Sequence, residues 1–364
     1  MVLMGLNNCN EVPFNRVFIH PKIQDKFGET MSKSKGNGVD PIEVIAKFGA
    51  DALRYGMASL CTETQDVRLP VQFECTHVHP KGGEDADGNP KLCGHVFEQT
   101  KKNRILHTID CPSCKKTMST QWAESEEDKA HTRVAIISEK FVDGRKFVTK
   151  LWNASRFAMQ NLEDYTAEPI NEADLTVEDR WMLSRLVTVS NAINEYLEDF
   201  KYAEATREMH KFAWSEFCSF YVEILKNRFA DDSLRPHAQR MLAYTLDCLL
   251  RLLHPLMPFV TEEIWQILAS PCPERGFDKI ETPSPSIMNS SWPELDQSWN
   301  NPEIEKQFAL FETTLGALRQ IRAAQNLGTK KPIKFSIKCE SAIAESLKPL
   351  GLSLIHISEP TRPY

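Results

Sequence analysis

The sequence predicts three kinds of structure in succession: the closing part of an α/β domain, a small metal-stapled insertion, and a mainly α-helical bundle. Three observations carry this. A glycine- and lysine-rich loop, Gly28 to Gly38, lies between an apolar β-prone run and a helix start. Four of the ten cysteines crowd between Cys75 and Cys114. From residue 175 onward, apolar side chains recur every three to five positions, the spacing of one helix face.

The α/β segment is expected over residues 1–72. Val17, Phe18 and Ile19 read as a short strand covered on both faces. The loop that follows holds two lysines, two serines and three glycines. Glycines let a backbone approach a phosphate chain closely, and lysines supply donors and positive charge where charge builds up during transfer. The same composition also fits an ordinary solvated turn. Asp40-Pro41 reads as an N-cap followed by proline at the first helical position, and Gly49 ends that helix. A second helix is expected over Asp51 to Leu60.

Residues 73–122 read as an insertion too poor in aliphatics to hold itself together. Cys111-Pro112-Ser113-Cys114 is a Cys-x-x-Cys knuckle, whose spacing lets two thiolates bind one tetrahedral Zn²⁺. Val78 stands where a second knuckle would be completed. The preferred ligand set is Cys75, Cys93, Cys111 and Cys114, and His77, His79 or His95 can stand in for an upstream cysteine. A structural zinc is expected, while free thiols are the plain alternative.

Residues 123–174 form a charged connector, with a helix starting near Glu139 and running to Leu162. Residues 175–300 hold the bundle. Its helices run from Trp181 to Phe200, from Tyr202 to Ile224 and from Met241 to Leu253, and a fourth is opened by Pro258. Glu262 and Glu263 are expected in the first turn of that fourth helix, where negative charge suits the dipole. The aromatic residues on these faces are expected in the core rather than stacked on bases. Residues 301–350 return to helix and then to an alternating run at Ile333, Phe335 and Ile337. Residues 351–364 have the look of a non-native tail and are given no role.

The bulk numbers bound the function. A net charge of −7 over 364 residues gives no whole-chain sign of nucleic-acid binding, so any RNA contact must come from local basic patches. Arg145 and Lys146, with Lys150 nearby, make one such patch; Arg319 and Arg322, with Lys330 and Lys331, make another. Solvated surface is the plain alternative for each. No apolar run approaches the ~20 residues a membrane helix needs. No signal peptide is recognised and the cysteines are unevenly spread, so a reducing, cytoplasmic setting is expected.

Several stretches in order resemble one family. They are Met31 to Asp40, Phe48 to Arg54, Asp66 to Arg68, Leu151 to Phe157, Asp179 to Leu186 and His254 to Phe259. Thr30-Met31-Ser32-Lys33-Ser34 resembles the second ATP-binding signature of class I aminoacyl-tRNA synthetases, Lys-Met-Ser-Lys-Ser. The ordered set is similar to the valyl branch over roughly residues 1–335. The isoleucyl branch shares the architecture. By this resemblance, residues 1–72 are the remnant of a Rossmann-type catalytic domain and 175–300 an anticodon-binding domain. Residues 301–350 would begin a C-terminal tRNA-binding arm. The activity implied is ATP-dependent attachment of valine to tRNA(Val) through valyl-adenylate, with Mg²⁺ accompanying ATP. Lys33 is the implied catalytic residue, with Thr30, Met31, Ser32 and Ser34 in the ATP-binding loop. A monomer that binds neither DNA nor membranes is expected.

The sequence departs from the family at Thr30, where the signature's first lysine would stand. The cysteine insertion is not general to the family. The other ATP-binding motif, of His-Ile-Gly-His type, is not found, so the chain is expected to be a C-terminal fragment unable to form adenylate alone. A stand-alone RNA-binding module of zinc ribbon and helical bundle is the competing reading. The phosphate-type loop speaks against it.

Overall fold

The structure, a computed structural model, describes residues 1–62, 65–79, 81–84, 88–325 and 338. The chain divides into two compact units. One takes residues 1–143 with 196–204, and the other takes 144–195 and continues from 205. The alternating run at 333–337, Lys330 and Lys331, and the tail 351–364 lie outside the described residues.

The first unit opens with α1 (Val2–Cys9). Strand β1 (Ile23–Gln24) pairs in parallel with β2 (Val67–Arg68), and the connection between them carries the Gly28–Gly38 loop, α2 (Pro41–Phe48) and α3 (Ala50–Leu60). Asp40 caps α2 as expected, accepting a hydrogen bond from the Ile42 amide, and Pro41 fills the first position. The strand expected at Val17–Ile19 is not formed; the strand lies a few residues on, at Ile23. Val17 and Ile19 are 71% and 85% exposed, and no described strand pairs with them. An apolar run reads as a strand only when another edge takes its backbone donors.

A three-stranded antiparallel sheet is centred on β3 (Gln72–Glu74), flanked by β4 (Val96–Glu98) and β7 (Ala135–Ile137). Between β4 and β7 lie the hairpin β5 (Thr108–Asp110)–β6 (Thr117–Ser119) and the short helix α4 (Glu126–Lys129). The sheet therefore runs through both the expected insertion and the expected connector. Two small cores result. Val44, Phe48, Ala52, Leu69, Ile137 and Phe141 bury the α2–α3 side, while Val71, Phe73, Ile109, Met118 and Ile136 surround Cys75 and Cys111.

The second unit is helical: α5 (Val142–Asn161), α6 (Val177–Glu198), α7 (Tyr202–Lys211), α8 (Val222–Phe229), α9 (Arg235–Leu253), α10 (Pro258–Leu268) and α11 (Pro302–Ala324). Its first three members begin or end within residues assigned to the first unit. Between α7 and α8 the chain does not break. Phe212–Tyr221 winds as a π-helix, which sets Phe212, Phe217, Phe220 and Tyr221 all in the core. The aromatic residues of this region are mostly interior, as expected. Glu262 and Glu263 do not occupy the first turn of α10, because Pro258 starts the helix and places them a turn further in. Glu262 instead accepts hydrogen bonds from Ser286 Oγ at 2.9 Å and the Ile287 amide at 3.1 Å, pinning the proline-rich loop.

Candidate nucleotide loop and thiolate cluster

The loop is built on one buried pair. Asn37, with no exposed surface, accepts from the Ser32 amide at 2.9 Å and donates to Asp25 Oδ2 at 2.8 Å. Asp25 also accepts from the amides of Phe27 and Glu29, both at 2.9 Å, and from Arg104 Nη1 at 3.0 Å. Burial pushes the Asp25 carboxyl up. The hydrogen bonds from Asn37 and the two amides, with the Arg104 charge, outweigh it and hold Asp25 below the usual carboxylate range.

On this base, Lys33–Lys35 forms a single 3₁₀ turn closed by Gly36 in the left-handed region, φ 64°. Lys33, Ser34 and Lys35 are exposed, and Ser32 Oγ lies 3.1 Å from Ser34 Oγ. Met31 turns the other way and packs against both small cores. With Val39, Leu53, Met57, Leu69 and Phe141 it lines an apolar cleft of about 500 Å³ beneath the loop. The turn thus presents two ammonium groups to solvent from a backbone anchored underneath. Such an arrangement can close on a polyphosphate.

The four cysteines named from sequence come together. The sulfurs of Cys75, Cys93, Cys111 and Cys114 all lie within 4.8 Å of one another. Cys75 Sγ is 3.6 Å from Cys114 Sγ, and Cys93 Sγ is 3.9 Å from Cys111 Sγ. A tetrahedral Zn²⁺ with Zn–S near 2.3 Å requires sulfurs about 3.8 Å apart, so the set fits this ion. The knuckle supplies Cys111 and Cys114, with the Cys114 amide 3.5 Å from Cys111 Sγ. The other two ligands come from an extension of the β3–β4 ladder, where the Cys75 amide donates to His95 O and the Gly94 amide to Cys75 O, each at 3.0 Å. A strand pair thereby replaces the missing second knuckle. Of the histidines, His77 Nδ1 sits 3.6 Å from Cys75 Sγ, His95 stacks on Phe97, and His79 accepts from the Lys81 amide. Burial raises the Cys75 thiol strongly, whereas the Lys116 amide helps lower Cys114 to about 7.

The basic candidates separate. Arg145 and Lys146 are exposed at the start of α5, and Arg319 is exposed on α11. Arg322 is only 5% exposed. It lies on the face of α11 that carries Phe311, Leu315 and Leu318, so it is withdrawn as a phosphate contact.

Two family models match the chain: tRNA synthetases class I (I, L, M and V) over residues 1–70, and the anticodon-binding domain of tRNA ligase over residues 179–337. The chain is 52% identical over 350 residues to the valine–tRNA ligase of Rhodopirellula baltica, covering 96% of this chain and 32% of that protein. Over almost all of its length it is thus similar to class I aminoacyl-tRNA synthetases of the valine branch. Valine–tRNA ligases of Carboxydothermus hydrogenoformans and Fervidobacterium nodosum are 33% and 31% identical over 332 and 338 residues. These matches cover 91% and 93% of this chain and 29% and 30% of those proteins. The chain spans about a third of the length of the synthetase relatives it matches.

The Gly28–Gly38 loop and the cysteine cluster are legible in the sequence, but what supports the loop is not. Asp25, Asn37, Gln99, Arg104 and Trp122 are ordinary polar residues in sequence, and only Asn37 lies inside the Gly28–Gly38 stretch. Among the described residues no helix is long and apolar enough to cross a membrane.

Proposed function

We propose that this chain supplies the phosphate-gripping loop and the tRNA-reading part of an enzyme that joins valine to tRNA(Val). In the first step the valine carboxylate attacks the α-phosphorus of ATP, the bond to the β-phosphate oxygen breaks, and pyrophosphate leaves. In the second, a hydroxyl at the tRNA 3′ end takes the valyl group and AMP leaves. Lys33 Nζ is read as the group that offsets charge developing on the phosphate oxygens. Such an interaction made mainly in the transition state raises rate rather than ground-state binding. Thr30 to Ser34 form the loop around it, and closure of the loop brings the lysine to its task. Mg²⁺ arriving with ATP would neutralise phosphate charge there.

Residues 1–72 are read as the closing part of a Rossmann-type domain, in keeping with the parallel β1–β2 pair joined through α2 and α3. The four cysteines are read as ligands of a structural Zn²⁺. Such an ion would have all four positions filled by protein, leaving none open for catalysis. Residues 175–300 are read as the anticodon reader, with Arg145 and Lys146 of the connector before it and Arg319 of the arm after it touching backbone phosphates, and the reaction taking place in the cytoplasm. The observation that carries the proposal is the Lys33 turn on its buried Asp25–Asn37 base. A binding module without catalysis has no use for it. An isoleucine enzyme is not favoured, since the relatives named above are valine–tRNA ligases.

The RNA half is tested with this chain alone. Binding to tRNA(Val) should exceed binding to tRNA(Ile) and weaken with salt. Changing Arg145, Lys146 and Arg319 together to glutamate should weaken it and lower the salt slope by about one per lost contact. Equal binding of both tRNAs, with an unchanged slope, would contradict the reading.

A further inference from the structure

We propose that Arg104 is a positioning residue for the Lys33 loop, and that a metal held by the four cysteines fixes where Arg104 stands. The proposal rests on the loop and zinc readings above and adds a coupling between them.

Arg104 lies outside the loop in sequence but underneath it in space. Its guanidinium is forked between two carboxylates: Nη1 to Asp25 at 3.0 Å and Nη2 to Glu29 at 2.7 Å. Asp25 in turn holds Asn37, and Asn37 holds the Ser32 amide, so the fork acts on the turn through two buried residues. Glu29 is further clamped by Lys101. The same segment grips the far end of the turn, where Gln99 Nε2 donates to Gly36 O at 3.0 Å. Gly36 also faces this segment closely. A Cβ built there would lie 2.7 Å from Gln121 Nε2, 2.8 Å from Trp122 Nε1 and 2.9 Å from Arg104 O. With φ at 64° besides, position 36 tolerates only glycine. Both ends of the loop are therefore seated on residues 99–122.

Those residues are the ones that carry the knuckle. Arg104 O accepts from Trp122 Nε1 at 2.8 Å, and Thr120 binds back to Leu106 O through its hydroxyl and to His107 O through its amide. The β5–β6 ladder begins at Thr108 and Ser119, and the turn joining the two strands contains Cys111 and Cys114. The hairpin buries little besides Ile109 and Met118, beside Cys111, so cross-linking by metal to the β3–β4 side would supply the order that packing does not. Losing that cross-link frees Trp122 and Arg104, and with them the base of the turn.

The test is hydrogen–deuterium exchange on the 364-residue chain. Arg104→Ala should speed exchange at the Ser32–Gly38 amides by about tenfold or more, the loss of a charged hydrogen bond, with α9 unaffected. Arg104→Lys, which keeps the charge without the fork, should fall between. Loop exchange in Arg104→Ala equal to that of the parent would overturn the positioning role. If Arg104→Ala unfolds the first unit, Gln99→Ala replaces it, with the same two outcomes read at Gly36–Gly38. For the metal, the zinc-loaded chain is compared with the chelated chain. Faster loop exchange after zinc leaves supports the coupling, and unchanged exchange with zinc shown to have left overturns it. A chain that takes up no zinc refutes the zinc reading and this coupling together, while the Arg104 comparison still decides the positioning role.

Discussion

Asp179 has no exposed surface, yet it stays ionised. Burial pushes its carboxyl up, but His237, Arg228 and Tyr221 outweigh that and hold it well below the usual range. Arg228 Nη1 stands 2.7 Å from Oδ1, Tyr221 Oη 2.8 Å from it, and His237 Nε2 3.3 Å from Oδ2. These partners tie α6 to α8, α9 and the π-helical stretch. Because the folded pKa is depressed, the stabilisation is present above the unfolded value near 3.8 and is lost as pH falls below it. Asp179→Ala strands a buried guanidinium and should cost about 3–5 kcal/mol in urea unfolding of the chain. A cost under about 1 kcal/mol, or no loss of stability below pH 4, would contradict this assignment. In sequence Asp179 is one acidic residue at a helix start. Nothing marks it apart, because its partners lie 42, 49 and 58 residues away. A longer separation hid Arg104, whose carboxylate partners lie 75 and 79 residues away. The cysteine cluster was legible because Cys111 and Cys114 form a local Cys-x-x-Cys knuckle and cysteine chemistry is rare.

Elements were legible where their signals were local too. The Asp40-Pro41 cap and Gly49 stop bound α2, and periodicity found each long helix. Val17–Ile19 was misread because a strand is defined by a neighbour, not by its own residues. The π-helical stretch was invisible, since its apolar spacing is close to that of an α-helix. The last described helix, α11, shows how packing decides. Its Phe308 is fully buried, stacked on Trp181 at 4.7 Å and 11° and set edge-on to Phe220 at 6.0 Å. Glu305, one turn earlier, accepts from Arg185, Ser184 and Thr188 at 2.6–2.7 Å. The apolar stack rather than this ion pair should dominate, as partly solvated pairs add little. Phe308→Ala should cost about 3–5 kcal/mol by thermal or urea unfolding, and Glu305→Gln clearly less. The reverse order would contradict the packing account.

Over the whole chain, the two units carry different chemistry. The first holds a cationic turn on a buried polar base and, further along the chain, a cluster of four cysteines. The second holds an aromatic core with exposed arginine and lysine at its margins. With a net charge of −7, the chain can meet RNA only through such local patches, so any RNA contact is a matter of placement rather than of overall charge. The likeness to synthetases was readable because sequence order preserves family signatures that physics alone leaves ambiguous. The seating of the loop on residues 99–122 was not, because it exists only after folding. The central claim is that Lys33 acts on ATP phosphates. The most direct measurement uses a chimaera in which this chain replaces the matching 350-residue stretch of the Rhodopirellula baltica valine–tRNA ligase. Valine-dependent ATP–pyrophosphate exchange by the chimaera should fall about 100- to 1,000-fold on Lys33→Ala, as for loss of a transition-state donor. Exchange within about twofold of the unsubstituted chimaera would contradict the claim.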